Sequence, residues 1–225
     1  MIKHHPSHEL LSSFVSGDLP LSLTAAVAMH AELCQVCEKT IARLTAEQAQ
    51  STFSVSVKSN NKTVVKSATD TIDFEQMFSE ITADESIDES VPYQDQQIEF
   101  NKVSYRLPRA LHNMPLAKQL RIGKLTRSRL LIDEGSLHSH LLHIDKQGGV
   151  PQHNHKGFEL TLLLDGSFSD EMGTYHKGDF IWLNNQHNHK PFSEEGCLCF
   201  TVADDALEFT QGLSKLLNPF GNLIY

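Results

Sequence analysis

The chain has 225 residues and a mass of 25.2 kDa, which is one large domain or two modest ones. Its 40% hydrophobic and 21% charged residues are a globular mixture, and no apolar stretch approaches the ~18 residues of a membrane-spanning helix. A net charge of −9 argues against direct nucleic-acid binding, and Met-Ile-Lys-His-His-Pro lacks the apolar run of a signal peptide, so a cytoplasmic protein is expected. Four cysteines are too few for a disulfide scaffold, whereas thirteen histidines are the outlier.

Helical patterns come first. Ser7-His8-Glu9 leads into Leu10, Leu11, Phe14 and Val15, an amphipathic segment stopped by Gly17. Ser22 is placed to cap an Ala-rich helix through Ala25, Val27, Ala28 and Leu33. A third helical segment follows Cys37, with Ile41 and Leu44 on one side. Residues 50–69 are rich in Ser, Thr, Asn and Val and read as an extended connection. Beyond it Phe74, Met77, Phe78 and Ile81 recur at i, i+3, i+4 and i+7, while Asp73 and Gln76 have capping-box spacing. That apolar face either folds back on the first helices or meets another chain.

Charge then segregates. Asp70 to Glu99 carries ten acidic residues and no Lys or Arg; Lys102 to Arg129 carries eight basic residues and no Asp or Glu. Such runs are usually solvated faces, and the switch marks a boundary at residues 83–95. Lys118, Arg121, Lys124 and Arg127 recur at roughly helical spacing, without the interleaved aromatics of a nucleic-acid site. Short apolar runs follow at Leu130–Ile132, Leu141–Ile144, Leu160–Leu164 and Phe180–Leu183. Turn signals separate them at Glu134-Gly135-Ser136, Gly148-Gly149, Asp165-Gly166 and Lys177-Gly178-Asp179, which predicts a β-sandwich or barrel. Trp182 lies within such a run and is expected in the core.

Two constellations carry chemistry. His30, Cys34 and Cys37 form His-x3-Cys-x2-Cys; on one helix they would share a face, and Cys-x2-Cys offers two thiolates to a tetrahedral centre. A closed structural zinc site needs a fourth ligand, and His4, His5 and His8 are the candidates. A redox Cys-x2-Cys usually opens a helix after a strand, whereas this one follows a helix. The second constellation is His153, His155 and Glu159, which a strand would point to one side. His189 and, two residues earlier, His187 compete to complete it, the spacing from Gly178 favouring His189. Three histidines and a carboxylate suit Zn, Mn, Fe or Ni. Cys197 and Cys199 share a strand face, as buried small hydrophobes or as an oxidant-responsive pair.

The second pattern, His-x-His-x3-Glu-x6-Gly, resembles the first cupin motif. Gln147 stands where that motif has its first glycine, and Asn184, Gln186 and Ser193 stand where the second motif has Pro, Gly and Asn. His-His-Pro followed by His-x3-Cys-x2-Cys resembles the zinc-binding anti-sigma domain of the ChrR group. The resemblance implies that the histidine before the proline, His5, completes a structural Zn2+ site with His30, Cys34 and Cys37. It also implies that a fourth helix after a linker clasps the sigma factor, with Phe74, Met77, Phe78 and Ile81 as its counterpart here.

The expected fold is multidomain, α plus β: a helical zinc-binding domain (1–82), an acidic linker (83–95) and an all-β cupin barrel (96–225). The barrel would hold Zn2+ or another divalent metal at His153, His155, Glu159 and His189. The function implied is that of an anti-sigma factor, not an enzyme. It would keep an extracytoplasmic-function sigma factor from core RNA polymerase and release it on oxidative signals such as singlet oxygen. Oxidation around the barrel metal, or at Cys197 and Cys199, would supply the trigger. The alternative is a metal-dependent, dioxygenase-like cupin enzyme with an N-terminal zinc assembly domain.

Overall fold

The computed structural model describes residues 1–54, 73–84, 95–155, 157–185, 187–204 and 207–209. Four helices come first: α1 His8–Ser16, α2 Leu21–Leu33, α3 Gln35–Phe53 and α4 Phe74–Ala83. Strands β1 Gln97–Phe100 and β2 Val103–Arg106 form a hairpin, followed by β3 Leu120–Ile122, β4 Leu125–Arg129, β5 His138–Ile144, β6 Gly148–Gly149 and β7 His153–His155. The chain continues with β8 Phe158–Ser169, β9 Thr174–His176, β10 Phe180–Asn184, β11 Phe192–Ser193, β12 Cys197–Ala203 and β13 Leu207–Phe209. Antiparallel pairing gives a curled sheet in the order β3-β4-β5-β12-β8-β11-β6, with β9 and β10 also on β8, and β13 on β7. This is a cupin half-barrel behind a helical layer.

The helices start and stop largely for local reasons. The Ser7 side chain caps α1 by accepting from Leu10 N–H, and α1 ends at Gly17. Asp73 caps α4 by accepting from the N–H groups of Glu75 and Gln76. The start of α2 differs from expectation, because Pro20 precedes it with no side-chain cap and Ser22 is already inside. The carboxylate of Glu134, from the loop before β5, instead accepts Ser22 N–H at 3.1 and 3.2 Å. A barrel residue therefore supplies the cap and the favourable negative charge at the start of α2. The third helix begins before Cys37 and runs to Phe53, so only the later part of the expected connection, residues 55–69, lies outside the described residues. Among the described residues no single helix is long and apolar enough to cross a membrane.

Strand β8 organises the core. Leu160 and Leu162 face one way and join Ala26, Val27 and Met29 of α2, Phe180 and Val202 in one buried cluster. Leu163 faces the barrel interior with Ile144, Ile181 and Cys199. The continuous apolar run of β8 thus follows from burial on both faces. The predicted turn at Asp165-Gly166 is not a turn: Gly166 lies inside β8, at φ 76°, beside a register shift against β12. A Cβ there would meet the carbonyl oxygen of Gly196 and the backbone of Cys197, so the close approach to the start of β12 requires glycine.

Other expectations are corrected by long-range pairing. Lys118 to Arg127 does not form a helix but enters the β3–β4 hairpin. The strand expected at Leu130–Ile132 is shifted earlier to β4, leaving Leu130 in an isolated bridge to Leu116. Gly148-Gly149 is a strand, paired with Phe192 and Ser193. Trp182 is not core: it projects from the outer side of β10, 44% exposed, and stacks on Phe158 at 4.5 Å. Gln147 adopts φ 57°, the left-handed conformation for which the cupin motif uses glycine. Ser193, where that motif has Asn, is fully buried; it donates to Ser167 O and accepts from Gly196 N–H, holding the turn into β12.

Candidate metal centres

The helical cluster forms at a break. Cys34, at φ −121° and ψ 99°, ends α2 and precedes α3, so His30, Cys34 and Cys37 do not ride one helix as expected. The break turns the chain so that His30, from the last turn of α2, meets Cys37, from the first turn of α3. His30 Nε2 lies 3.3 Å from Cys37 Sγ, and His5 Nδ1 lies 3.4 and 3.5 Å from the sulfurs of Cys34 and Cys37. The ligand atoms of His5, His30, Cys34 and Cys37 all fall within 4.8 Å of one another, with His5 exposed and the other three buried. His4 and His8 are not in the group.

The barrel holds this cluster in place. His30 Nδ1–H donates to Gly178 O at 2.8 Å, which leaves Nε2 with its lone pair toward the sulfurs. Asp179, almost fully buried, accepts from Lys3 N–H at 2.7 Å and His4 N–H at 3.1 Å through one oxygen, and from His176 N–H at 2.9 Å through the other. Phe180 N–H donates to His4 O at 3.0 Å, so the segment leading to His5 is pinned to the β9–β10 turn. Burial would raise the Asp179 carboxyl, but the amides of His176, Lys3 and His4 outweigh it and hold it below its ordinary value. Gly178 packs so closely on Ile2 that a Cβ would strike its side chain.

The donor set fits a soft divalent ion. Burial, followed by the charge of Cys34, pushes the Cys37 thiol up to about 12, and burial lowers His30 to about 4. Two buried thiols and a neutral imidazole in contact have no charge partner within the cluster. A cation supplies one, because a coordinated thiol is deprotonated and a coordinated imidazole is neutral.

The barrel cluster comprises His153, Glu159 and His189. His153 lies on β7 and Glu159 on β8, with the strand interrupted between them. They are therefore brought together across a break and not along one strand as expected. Gly157 at that break permits Phe158 N–H to donate to Asp204 at 2.7 Å; a Cβ there would overlap the Asp204 carboxylate. His189 pairs with His153 in an isolated bridge, placing the two Nε2 atoms 3.0 Å apart and Glu159 Oε2 3.7 Å from His189 Nε2. All three residues are buried. His187 stands apart, half-buried, with its ring near Asn184 N–H. The side chain of His155 lies outside the described residues.

Each barrel imidazole is oriented from behind. His153 Nδ1–H donates to Pro151 O at 2.8 Å, and His189 Nδ1–H donates to the Asp170 carboxylate at 3.2 Å. With both Nδ1 atoms protonated, both Nε2 lone pairs converge beside a carboxylate, an arrangement that repels itself without a cation and binds one well. Asp170 carried no signal in the sequence, since it lies 19 residues from His189 in no shared pattern. The same holds for Asp179 and Gly178, which act on the other cluster over 148 residues or more.

Cys197 and Cys199 are both buried and unbridged. Their hydrogen bond, and then burial, push Cys199 well above its ordinary value, while the same bond lowers Cys197. Phe74, Met77, Phe78 and Ile81 are all exposed, at 68%, 44%, 69% and 66%, so α4 presents an apolar face that no described residue covers.

Comparison with known proteins sharpens this picture. Residues 115–206 match the family model described as the ChrR cupin-like domain. The chain is 28% identical to the anti-sigma-E factor ChrR of Cereibacter sphaeroides over 97% of its own length and 98% of that protein's. A crystal structure of Rhodobacter sphaeroides SigE in complex with the anti-sigma ChrR superposes with a TM-score of 0.60 at 24% identity. That superposition covers 91% of this chain and 100% of the matched one.

Proposed function

We propose that this protein is a ChrR-type anti-sigma factor, binding an extracytoplasmic-function sigma factor in the cytoplasm and withholding it from core RNA polymerase. The observation that carries this reading is the end-to-end match to an anti-sigma-E factor, spanning helices and barrel alike. Residues 1–82 form the sigma-binding domain, 83–95 an acidic linker and 96–225 the sensor. Zinc at His5, His30, Cys34 and Cys37 is structural, because four protein ligands leave no open position for chemistry. The apolar face of α4, with Phe74, Met77, Phe78 and Ile81, meets the sigma factor.

The barrel centre serves as the sensor. His153, Glu159 and His189, with His155, hold a divalent metal, which supplies a redox-responsive or Lewis-acidic focus when bound. Oxidation of the imidazoles, or of the Cys197–Cys199 pair behind them, changes the packing of β8, β10 and β12. Those strands carry the outer residues on which α2 rests, and the β9–β10 turn grips His30 and the His5 segment. An oxidant such as singlet oxygen therefore acts on sigma binding through the shared wall.

The test is co-expression of the full-length chain with each extracytoplasmic-function sigma factor of its own organism. A complex that survives purification and dissociates on zinc chelation is expected; no complex under either condition overturns the reading. Exposing the complex to a photosensitiser and light should release the sigma factor, and Glu159→Gln should block that release while leaving binding intact. One observation favours a second reading: two histidines and a carboxylate beside a cavity are the ligand set of non-haem iron oxygenases. Turnover of a small diketone by the iron-loaded protein would establish that activity.

A further inference from the structure

Asp170 and Asp179 serve different clusters, yet one tyrosine stands between them. Asp170 closes the β8–β9 turn, its Oδ1 accepting the N–H groups of Met172 and Gly173 at 2.8 and 3.1 Å. Its Oδ2 accepts His189 Nδ1–H at 3.2 Å, and the side chain is almost fully buried. The hydroxyl of Tyr175, on β9, also hydrogen-bonds this carboxylate. Burial, and then the charge of Asp170, raise the phenol to about 12, so Tyr175 stays protonated and is the donor. One buried carboxylate thereby ties a barrel imidazole to a tyrosine.

The β9 strand carries that tie toward the helical layer. Tyr175 is buried and lies opposite Phe168 in the β8–β9 register, their ring centroids 5.1 Å apart. Its ring also packs on the ring of His4, with centroids 5.0 Å apart and planes at 58°. His4 is gripped through its backbone as well, its N–H by Asp179 and its carbonyl by Phe180 N–H. Tyr175 adds a contact to the His4 side chain, and the next residue is His5. Rotation of His4 about its two backbone bonds would swing the His5 imidazole relative to the sulfurs of Cys34 and Cys37, 3.4 and 3.5 Å away.

We infer that Tyr175 is a positioning residue that couples the two clusters, carrying the state of His189 through Asp170 and His4 to the His5 donor. The inference deepens the sensor reading and rests on the part of it that makes the helical cluster a metal site. Whatever alters the His189 ring then reaches His5 through a contiguous series of hydrogen bonds and ring contacts. Coupling of this kind is reciprocal, so a metal held by His5 also favours the arrangement around His189.

The experiment is a double-mutant cycle on the full-length protein, read as the cobalt affinity of the helical cluster in a chelator competition. Thiolate-to-cobalt absorption reports that cluster, because His153, Glu159 and His189 offer only nitrogen and oxygen. Tyr175→Phe keeps the ring against His4 and Phe168 but removes the bond to Asp170. Asp170→Asn can keep its oxygen on the Met172 and Gly173 amides while turning a nitrogen toward His189 and Tyr175. Each single variant should weaken cobalt by at least about fivefold, the low end of coupling between sites, and shift its visible bands. The double variant should match the weaker single variant within about twofold, since both changes cut the same connection. A general loss of barrel stability would instead add across the two changes and leave the bands of bound cobalt in place. Unchanged affinity in Tyr175→Phe, or losses that multiply in the double variant, would overturn the inference. Should Asp170→Asn fail to fold, His189→Ala closes the same cycle. A parent that shows no thiolate–cobalt absorption removes the metal-site reading and the inference together; one that shows it and ignores Tyr175→Phe removes the coupling alone. Sigma binding is not read here, so the anti-sigma test stands apart.

Discussion

The two metal clusters are built in opposite ways. In the helical cluster three ligands come from eight consecutive residues, and only the His5 arm comes from elsewhere. In the barrel cluster, His153 and Glu159 are close in sequence while His189 arrives from a separate strand connection, and the site borders a cavity. Sulfur-rich and supplied with four protein donors, the first suits an ion that holds a fold. The second, made of imidazole and carboxylate beside open volume, suits an ion that meets other molecules. Yet the first leans on the second's scaffold, through Gly178 and Asp179. Proximity of donors in sequence therefore does not make a site self-sufficient.

The strongest separation of the two should come from Cys37→Ser or from chelation. Either removes metal-linked folding energy from the helical layer, lowering Tm by more than about 10 °C in a circular-dichroism melt and abolishing sigma binding. By contrast, Glu159→Gln should reduce bound metal by one equivalent in elemental analysis while preserving helix content. If it also emptied the helical cluster, the clusters would have to be treated as one unit.

A smaller effect tests the leaning itself. Asp179→Ala strips the acceptor from Lys3, His4 and His176 N–H and should weaken metal at the helical cluster by about ten- to a hundredfold in a chelator competition. Cobalt substitution adds a signature that simple destabilisation lacks, since loss of the His5 nitrogen shifts the visible bands of a two-sulfur, two-nitrogen site. Asp179→Asn, which keeps one acceptor oxygen, should fall between.

Barrel stability should also depend on pH. His140 and His143 are buried with their values lowered from 6.5, His140 to about 3, in each case by burial first. Below about 6.5 the unfolded chain takes up protons that the folded chain refuses, so stability declines as pH falls and is retained above that value. The slope approaches about 1.4 kcal/mol per pH unit for His140, and His143 adds to it in the same direction. Urea titrations between pH 7 and pH 5 should show it, and His143→Gln should flatten it. The smallest expected effect is a gain: Gln147→Gly relieves a left-handed non-glycine residue and should add up to about 1 kcal/mol, read from the same denaturant curves.

What could be read from the sequence was whatever a short window encodes. The α1 and α4 helices have their apolar spacing, their capping side chains and, for α1, the glycine stop within about ten residues. The ligand spacings around 30–37 and 153–159 were equally compact. The break at Cys34 was not legible, because nothing in Leu33-Cys34-Gln35 opposes a helix; the break follows from how α2 and α3 pack. Asp170 and Asp179 were missed for a related reason, their roles being set by long-range hydrogen bonds. Trp182 misled because composition marks it as a core residue, while the edge position of β10 leaves it outside the helical cover.

The two-sided burial of β8 has a consequence for synthesis. The helical layer leaves the ribosome first, but its partners Leu160, Leu162 and Val202 are made only after well over a hundred further residues. At roughly 5–20 residues per second, the buried face of α2 and the thiols of Cys34 and Cys37 wait on the order of ten to thirty seconds for their cover. During that interval the nascent chain shows the cell an apolar helix and a reactive thiol pair. Early capture of a metal ion, before the barrel exists, would protect both.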